Sequence, residues 1–318
     1  MGQDPTITLS IKEAGVRPNS TYLFHIQLDG NVITSNQSLS LQDSQAVREI
    51  SRSFSSLFEQ DRCRPEMDAD AQRALGKQLF DLWLAPSWEK ITAAVSVGAL
   101  RFLVIASEVP EILNLPWELL LPPEGDFLGI NPLFRIRRFP STFKQMATFT
   151  GELRPRPLRL LFMACSPSDQ PTLDYEKEEE ALFRAIYGQD VAFDSCDQGT
   201  FEELKEKVSE FKPHIVHLTG HGAVLDGQGS FAFEKEDGTA DLVPSEELRR
   251  FLSGSGVQCV FVSGCQSGKA PLQALSGICQ SLVGAEVPLA VGWAACIADD
   301  LATNFGSSNT SSNYASVS

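Results

Sequence analysis

The pattern of apolar and polar positions predicts strands and helices that alternate along the second half of the chain. Short apolar runs at 158–164, 213–219 and 257–263, of which the last two each contain three β-branched residues, are typical of buried strands. Apolar positions recur at helical spacing over 175–187 and 200–211, which indicates amphipathic helices between the first two of these runs. This alternation predicts an α/β fold, in which a mostly parallel sheet is flanked by helices.

The first half of the chain carries a similar mixture of patterns. It predicts strands at 6–12, 22–28, 30–34 and 100–106, and helices at 44–58 and 69–84. Asp29-Gly30 favours a hairpin between the second and third of these strands. This half contains one histidine, His25, and one cysteine, Cys63, and neither follows a strand in a glycine-rich turn. We therefore expect this half to be a scaffold.

A polar stretch over 142–157 separates the two halves. It ends in two closely spaced prolines, which favour an extended connector, and we place the boundary near residue 150. The predicted organisation is an N-terminal domain over 1–150, a second domain over 151–305 and a disordered, Ser/Asn-rich tail over 306–318.

Two predicted strands of the second domain each end beside a reactive side chain. His221 lies between two glycines directly after the strand at 213–219, and Cys265 follows a glycine directly after the strand at 257–263. In parallel α/β sheets, ligands bind at the carboxyl edge of the strands, so neighbouring strands would bring the imidazole and the thiol together there. A thiol with a base that ionises it is the minimal equipment for covalent acyl transfer.

The spacing of the two residues supports the same chemistry. Cys265 follows His221 by 44 positions, and caspases have a cysteine in a short glycine-bearing turn with a histidine about 50 residues upstream. His214 and His217 lie within the strand, where we expect core imidazoles. We expect five of the other six cysteines to be small buried hydrophobic residues. These five are Cys63, Cys165, Cys196, Cys259 and Cys279.

Four other kinds of site fit the motifs less well. A zinc site could draw on His214, His217, His221 and Cys265, but residues 214 and 217 point to opposite faces of a strand. The Gly-x-x-x-x-Gly-Lys-Ser/Thr loop of phosphate binders and the Gly-x-Ser-x-Gly turn of serine hydrolases are absent. A redox-sensing thiol would need a second cysteine beside Cys265, and Cys259 precedes it by six residues on the same strand.

Composition and charge bear on location and partners. A net charge of −15 over 318 residues argues against a general nucleic-acid or membrane binder. Seven dispersed cysteines without a Cys-x-x-Cys, and an N-terminus unlike a secretory signal, predict reduced thiols and a cytoplasmic location.

Residues 174–210 include twelve acidic and four basic side chains, whereas 135–159 include seven basic and one acidic. These segments are solvated surfaces or, for the basic one, a docking patch for an acidic partner.

The two motifs resemble those of CHAT domains, which are caspase-like cysteine peptidases. They read His-Leu-Thr-Gly-His-Gly at 217–222 and Val-Ser-Gly-Cys-Gln-Ser-Gly at 262–268. The similarity extends to 113–119, 164–167, 173–178 and 287–293, and so covers nearly the whole chain up to about Phe305.

The resemblance implies an N-terminal caspase-like half without a dyad and a C-terminal half that carries it. It implies that His221 is the general base and acid and that Cys265 is the nucleophile. The backbone N–H groups of Gly222 and Cys265 would then form the oxyanion hole. Candidates for the pocket that holds the substrate residue before the scissile bond are Asp169, Ser263 and Trp293.

We therefore expect a cytoplasmic cysteine endopeptidase that needs no cofactor or metal and cleaves protein substrates through a thioester acyl-enzyme. The alternative is a non-enzymatic CHAT-like module that binds partners through 135–159. CHAT proteins often carry tetratricopeptide repeats, and none is present in this sequence, so we expect a repeat-containing or other regulatory protein as partner. The Ser/Asn-rich tail also differs from the family, whose members usually continue with further helix.

Overall fold

The computed structural model of the chain describes residues 4–59, 68–95, 98–140, 156–226, 228–264, 273–283 and 287–292. The chain divides into two compact units. Unit 1 comprises Met1–Leu57 and Glu66–Met146, and unit 2 comprises Phe58–Pro65 and Ala147–Ser318. The predicted boundary near residue 150 and the predicted disordered tail lie outside the described residues.

Unit 1 contains a five-stranded sheet with helices. Its strands are β1 (Thr6–Ala14), β2 (Thr21–Leu28), β3 (Asn31–Ser38), β4 (Arg101–Ser107) and β5 (Phe134–Phe139), in the order β3-β2-β1-β4-β5. Its helices are α1 (Leu41–Glu59), α2 (Ala69–Trp83), α3 (Trp88–Ala94) and α4 (Pro110–Leu113), with 3₁₀ turns at Ala85–Ser87 and Trp117–Leu119. β1 pairs antiparallel with β2 and parallel with β4, so this sheet is mixed.

The predicted hairpin at Asp29-Gly30 is confirmed. β2 and β3 pair antiparallel on either side of these two residues. Both have positive φ, 50° at Asp29 and 79° at Gly30. A two-residue turn with both φ values positive has the twist that suits a hairpin, and Asp-Gly adopts it at low cost.

Aromatic side chains fill the core of unit 1. Trp83 and Trp117 are fully buried, with ring centroids 5.9 Å apart. The rings of Tyr22 and Phe24, from β2, pack against Trp83. The indole N–H of Trp117 donates to the carbonyl oxygen of Ile112 at 2.7 Å, which satisfies the polar atom of this buried ring. The stretch 115–119, which reads Leu-Pro-Trp-Glu-Leu, therefore contributes to the core of this unit.

Gly76, in the middle of α2, allows a backbone to approach the helix closely. A methyl group added there would lie 2.0 Å from the carbonyl oxygen of Leu119. Glycine to alanine normally favours a helix by about 1 kcal/mol, but here we expect Gly76→Ala to destabilise unit 1 by roughly 2–3 kcal/mol through overpacking. Urea unfolding followed by tryptophan fluorescence measures this, because three of the four tryptophans lie in unit 1. Lys77→Ala, at an exposed neighbour, is the control, and an unchanged midpoint for Gly76→Ala would contradict the prediction.

Unit 2 carries the elements that surround the two motifs. Its strands are β6 (Leu158–Ala164), β7 (Val191–Ser195), β8 (Ile215–Leu225), β9 (Gln228–Glu234), β10 (Ala240–Pro244), β11 (Cys259–Gly264) and β12 (Leu289–Gly292). Its helices are α5 (Tyr175–Ile186), α6 (Phe201–Phe211), α7 (Ser245–Leu252) and α8 (Gln273–Val283).

Five strands of unit 2 form a parallel sheet in the order β7-β6-β8-β11-β12. This is a doubly wound order, in which the chain changes direction between β6 and β8. α5 packs on one face through Leu182 and Ile186, and α6, α7 and α8 contribute to the core on the other. The predicted parallel sheet flanked by helices is thus confirmed for unit 2. β9 and β10 form an antiparallel hairpin.

Candidate active site

The register of β8 and β11 brings the two motifs to one edge of the sheet. Thr219 pairs with Ser263, and Gly220 pairs with Gly264, in a parallel ladder. The next residue on β8 is His221, and the next residue along the chain after Gly264 is Cys265, which lies outside the described residues. This edge is also the carboxyl end of β6 and β8, between which the doubly wound order reverses and where such sheets bind ligands.

His221 lies within a strand, so the prediction that it directly follows the strand at 213–219 is wrong. β8 continues past the parallel sheet and pairs antiparallel with β9, with His221 opposite Ala232. The side chain is buried, with 3% of its surface exposed. Gly220 serves close packing here, because a methyl group on it would lie 2.6 Å from the ring of Phe231 and 3.3 Å from Cβ of Cys165. The glycine that indicated a turn therefore admits an aromatic side chain.

A backbone carbonyl determines which nitrogen of His221 carries a proton. The Nε2 atom lies 2.8 Å from the carbonyl oxygen of Pro171. Because a carbonyl oxygen only accepts hydrogen bonds, Nε2 is the protonated nitrogen. In the neutral ring the lone pair then resides on Nδ1, which is the atom that would act as a base.

The loop that supplies this carbonyl is tied to the β9–β10 hairpin. The N–H of Ser166 donates to Oε1 of Glu234 at 2.7 Å. The N–H of Ala240 donates to Oδ1 of Asp169 at 2.9 Å. The side chain of Asp169 is exposed and caps the start of β10. Two hydrogen bonds to the β9–β10 hairpin, one at Ser166 and one at Asp169, therefore hold the loop after β6 in the residues before Pro171.

A buried carboxylate lies beneath the same edge. Glu178, on the inner face of α5, accepts hydrogen bonds from Nε2–H of His217 at 2.9 Å and from the hydroxyl of Thr219. The ring of His217 stacks on that of Phe261, with centroids 4.7 Å apart. Glu178 thus accepts from two side chains of β8, directly before the Gly-His-Gly at 220–222.

Burial by itself would raise the pKa of the Glu178 carboxyl. The hydrogen bond and charge interaction with His217, together with the hydrogen bond from Thr219, outweigh burial and hold the pKa below its usual range. The carboxylate is therefore the stable form in the folded protein, and it is acceptor-only. His217 donates to one of its oxygens and Thr219 to the other.

The sequence matches a known domain over most of its length. The family model described as CHAT domain matches residues 73–308. The chain belongs to the CHAT-domain family. CHAT is a domain related to caspase-like cysteine peptidases. No curated protein matches the sequence.

In this CHAT domain, the structure places some of the predicted site residues and leaves others outside the described part. His221 and Gly222 lie on β8, where the buried Gly222 is opposite Phe231. Ser263 is buried on β11 and is the register partner of Thr219. The structure does not describe Cys265 and Trp293, so the dyad, the oxyanion hole and the substrate pocket remain predictions.

Two residues of the site were missed by sequence reasoning, Pro171 and Glu178. Pro171 acts through its carbonyl, which no side-chain pattern reveals. Glu178 did leave a signal, because positions 178, 182 and 186 form one stripe of α5 and the other two are the buried Leu182 and Ile186. A carboxylate within an apolar stripe predicts a buried polar partner.

The remaining cysteines of unit 2 differ from a reactive thiol. Burial raises the pKa of Cys165 well above its usual value and raises the pKa values of Cys259 and Cys279 to about 12. Burial is also the main cause that raises the pKa of Cys196 to about 12. These thiols stay protonated at neutral pH, so they are poor nucleophiles. Cys63 and Cys296 lie outside the described residues.

Within the described ranges, the side chains form no metal-binding group and the helices form no membrane span. No group of three or more His, Cys, Asp or Glu side chains among these residues could hold a metal ion. The zinc alternative included Cys265, to which that finding does not extend. None of the helices in the described part of the chain is long and apolar enough to cross a membrane.

Proposed function

We propose that this CHAT domain is a caspase-like cysteine endopeptidase in which Cys265 is the nucleophile and His221 is the general base and acid. The observation that carries the proposal is the register of Gly220 against Gly264, since each catalytic residue directly follows one member of this pair. Strand periodicity supports it further. Every second side chain of a strand points to the same face, and residues 217, 219 and 221 are spaced by two, as are 261, 263 and 265. At the start of these two series, the ring of His217 stacks on that of Phe261.

The chemistry follows from the tautomer of His221. Nδ1 takes the proton of the Cys265 thiol, and the thiolate sulfur attacks a peptide carbonyl carbon to form a tetrahedral oxyanion. Backbone N–H groups of Gly222 and Cys265 are the proposed donors to that oxygen. His221 then returns the proton to the leaving amine as the C–N bond breaks. Water, deprotonated by the same ring, hydrolyses the thioester and restores the thiol.

The environment of His221 supports catalysis over a purely structural role. A base must be oriented, and the Pro171 carbonyl orients this ring by its bond to Nε2. Asp169 lies on the same loop, exposed, which suits its proposed place in the substrate pocket beside Ser263 and Trp293. The proposal also includes a protein substrate, a cytoplasmic location and a regulatory partner such as a tetratricopeptide-repeat protein.

Cleavage of a peptide library by the intact chain, read by mass spectrometry, tests the function. We expect new termini with wild type and none with Cys265→Ala, because no other thiol follows the paired glycines. Cys196→Ala is the matched control and should cleave as wild type does, since the Cys196 thiol is protonated at neutral pH.

Two outcomes would count against the peptidase. Cleavage at the wild-type rate by Cys265→Ala would show that another residue is the nucleophile. No cleavage by any form would favour the non-enzymatic interaction module, for which binding of an acidic partner to the basic segment 135–159 is the corresponding measurement.

A further inference from the structure

The β9–β10 hairpin contacts both partners of the bond that orients His221. On its first strand, Ala232 pairs with His221 in the antiparallel ladder. Closer to its tip, the hairpin holds the loop after β6, which supplies the Pro171 carbonyl to Nε2 of the same imidazole. The donor and the acceptor of that bond lie 50 residues apart in the sequence, and one hairpin contacts the segments that carry them.

Glu234, the last residue of β9, makes the contact that lies nearest to the end of β6. Its Oε1 atom accepts from the N–H of Ser166 at 2.7 Å. Its own backbone N–H donates to the carbonyl oxygen of Gly199 at 2.8 Å. A hydrogen bond to a carboxylate is about twice as strong as one between neutral groups. Glu234 thus joins the loops that follow β6 and β7 to the hairpin.

Gly199 leaves room for this carboxylate. A methyl group on Gly199 would lie 2.7 Å from Oε1 of Glu234 and 3.0 Å from the carbonyl oxygen of Ala164. The end of the Glu234 side chain can move more readily than the backbone, so it is the group that a methyl would displace. Gly199→Ala therefore disturbs from outside the same oxygen that Glu234→Ala removes.

Further hydrogen bonds join the hairpin tip to the middle of the loop. The N–H and the hydroxyl of Ser168 both donate to the carbonyl oxygen of Gly238, at 2.8 and 3.0 Å. Ser168 and Asp169 are exposed, so water competes for the bonds of these residues, whereas Ser166 and Glu234 are half-buried. A hydrogen bond that is shielded from water is electrostatically stronger, so we expect the Glu234 bond to hold the loop most firmly.

We propose that Glu234 is a positioning residue for His221. By fixing the loop after β6, it keeps the Pro171 carbonyl against Nε2 and so keeps the base function on Nδ1. The inference rests on the proposed function. A misplacement of about 1 Å in a catalytic group can cost about 10²-fold in rate, so the loss of Glu234 is expected to affect turnover more than substrate binding.

Four variants of the full chain test this role. Glu234→Ala removes the acceptor, whereas Glu234→Gln keeps an amide oxygen that can accept from the N–H of Ser166. Gly199→Ala displaces the carboxylate without changing residue 234. Glu236→Ala is the matched control, because it removes an exposed carboxylate from the same hairpin.

The first readout does not need peptide cleavage. NMR spectra of protein with isotope-labelled histidine report which ring nitrogen carries the proton and how fast that proton exchanges with water, and His221→Gln identifies the signals of this ring. We expect Glu234→Gln and Glu236→Ala to match wild type, with the proton on Nε2. In Glu234→Ala and Gly199→Ala, this proton should exchange at least about tenfold faster, because the bond to Pro171 opens more often.

An unchanged His221 signal in Glu234→Ala would overturn the inference, and a lower melting temperature in that variant would then show a structural role only. If wild type cleaves no peptide, the proposed function fails, and this signal still decides whether Glu234 orients His221.

The second readout is kcat and KM for a peptide that wild type cleaves. We expect Glu234→Ala and Gly199→Ala to lower kcat by roughly 10- to 100-fold with KM within about twofold, and Glu234→Gln to restore most of the loss. Equal kcat in Glu234→Ala and Glu236→Ala would overturn the proposal. A rise in KM with unchanged kcat would also overturn it, since Glu234 would then act in substrate binding.

Discussion

Replacement of His221 by alanine should lower kcat/KM for peptide cleavage by roughly 10²- to 10⁴-fold, which is the usual contribution of a general acid–base group. Nδ1 is the proposed base, and alanine removes it. The substitution also removes the donor to the Pro171 carbonyl, so part of the loss would come from the loop. Steady-state kinetics with the best library peptide measure the total effect.

His221→Gln separates the two contributions. Its amide nitrogen can reach the position of Nε2 and donate to the Pro171 carbonyl, but the side chain is not a base. We expect it to lose activity as His221→Ala does while keeping the wild-type melting temperature more closely. Activity within about tenfold of wild type for His221→Gln would mean that the imidazole orients the loop and does not transfer protons.

Replacement of Glu178 by alanine should destabilise unit 2 by about 3–5 kcal/mol, because it leaves buried donors without their acceptor. His217 and Thr219 are almost fully buried, so water would not replace the lost carboxylate at low cost. Hydrogen exchange in peptides from β8 and β11 measures the effect within unit 2. Glu180→Ala, on the exposed side of the same helix, should change exchange little. Equal exchange in both variants would contradict this prediction.

The same carboxylate makes the stability of unit 2 depend on pH. Its pKa is lower in the folded protein than the usual value of 4.5, so the unfolded chain binds the proton more tightly. Its contribution is complete above pH 4.5 and is lost as the pH falls through the folded-state pKa. Acid unfolding of Glu178→Gln should therefore depend less steeply on pH below 4.5 than that of wild type.

The strands of unit 2 were predictable because buried parallel strands are short apolar runs. The runs at 213–219 and 257–263 correspond to the first part of β8 and to most of β11. Their pairing, which makes the site, is a non-local property that no single run contains. The hairpin at Asp29-Gly30 was predictable because its turn depends only on the two residues that form it.

The setting of His221 could not be predicted in the same way. Gly-His-Gly after a strand has the composition of a turn, and only the pairing of β8 with β9 reveals a continuing strand. Phe231 lies on β9 and packs against Gly220, and it reaches Gly220 only because β9 pairs with β8. A bond to a backbone carbonyl, such as that of Pro171, is invisible to any reasoning from side chains.

The bond between Pro171 and His221 joins residues 50 positions apart, on the loop after β6 and on the extension of β8. The imidazole is therefore oriented only after both segments have been synthesised and have folded together. In the proposed enzyme, the nucleophile lies a further 44 positions along the chain. A ribosome-bound chain would then have no oriented base before residues 171 and 221 have folded together, and no dyad before residue 265 has been synthesised. Neighbouring nascent proteins would be protected from premature cleavage by the order of translation itself.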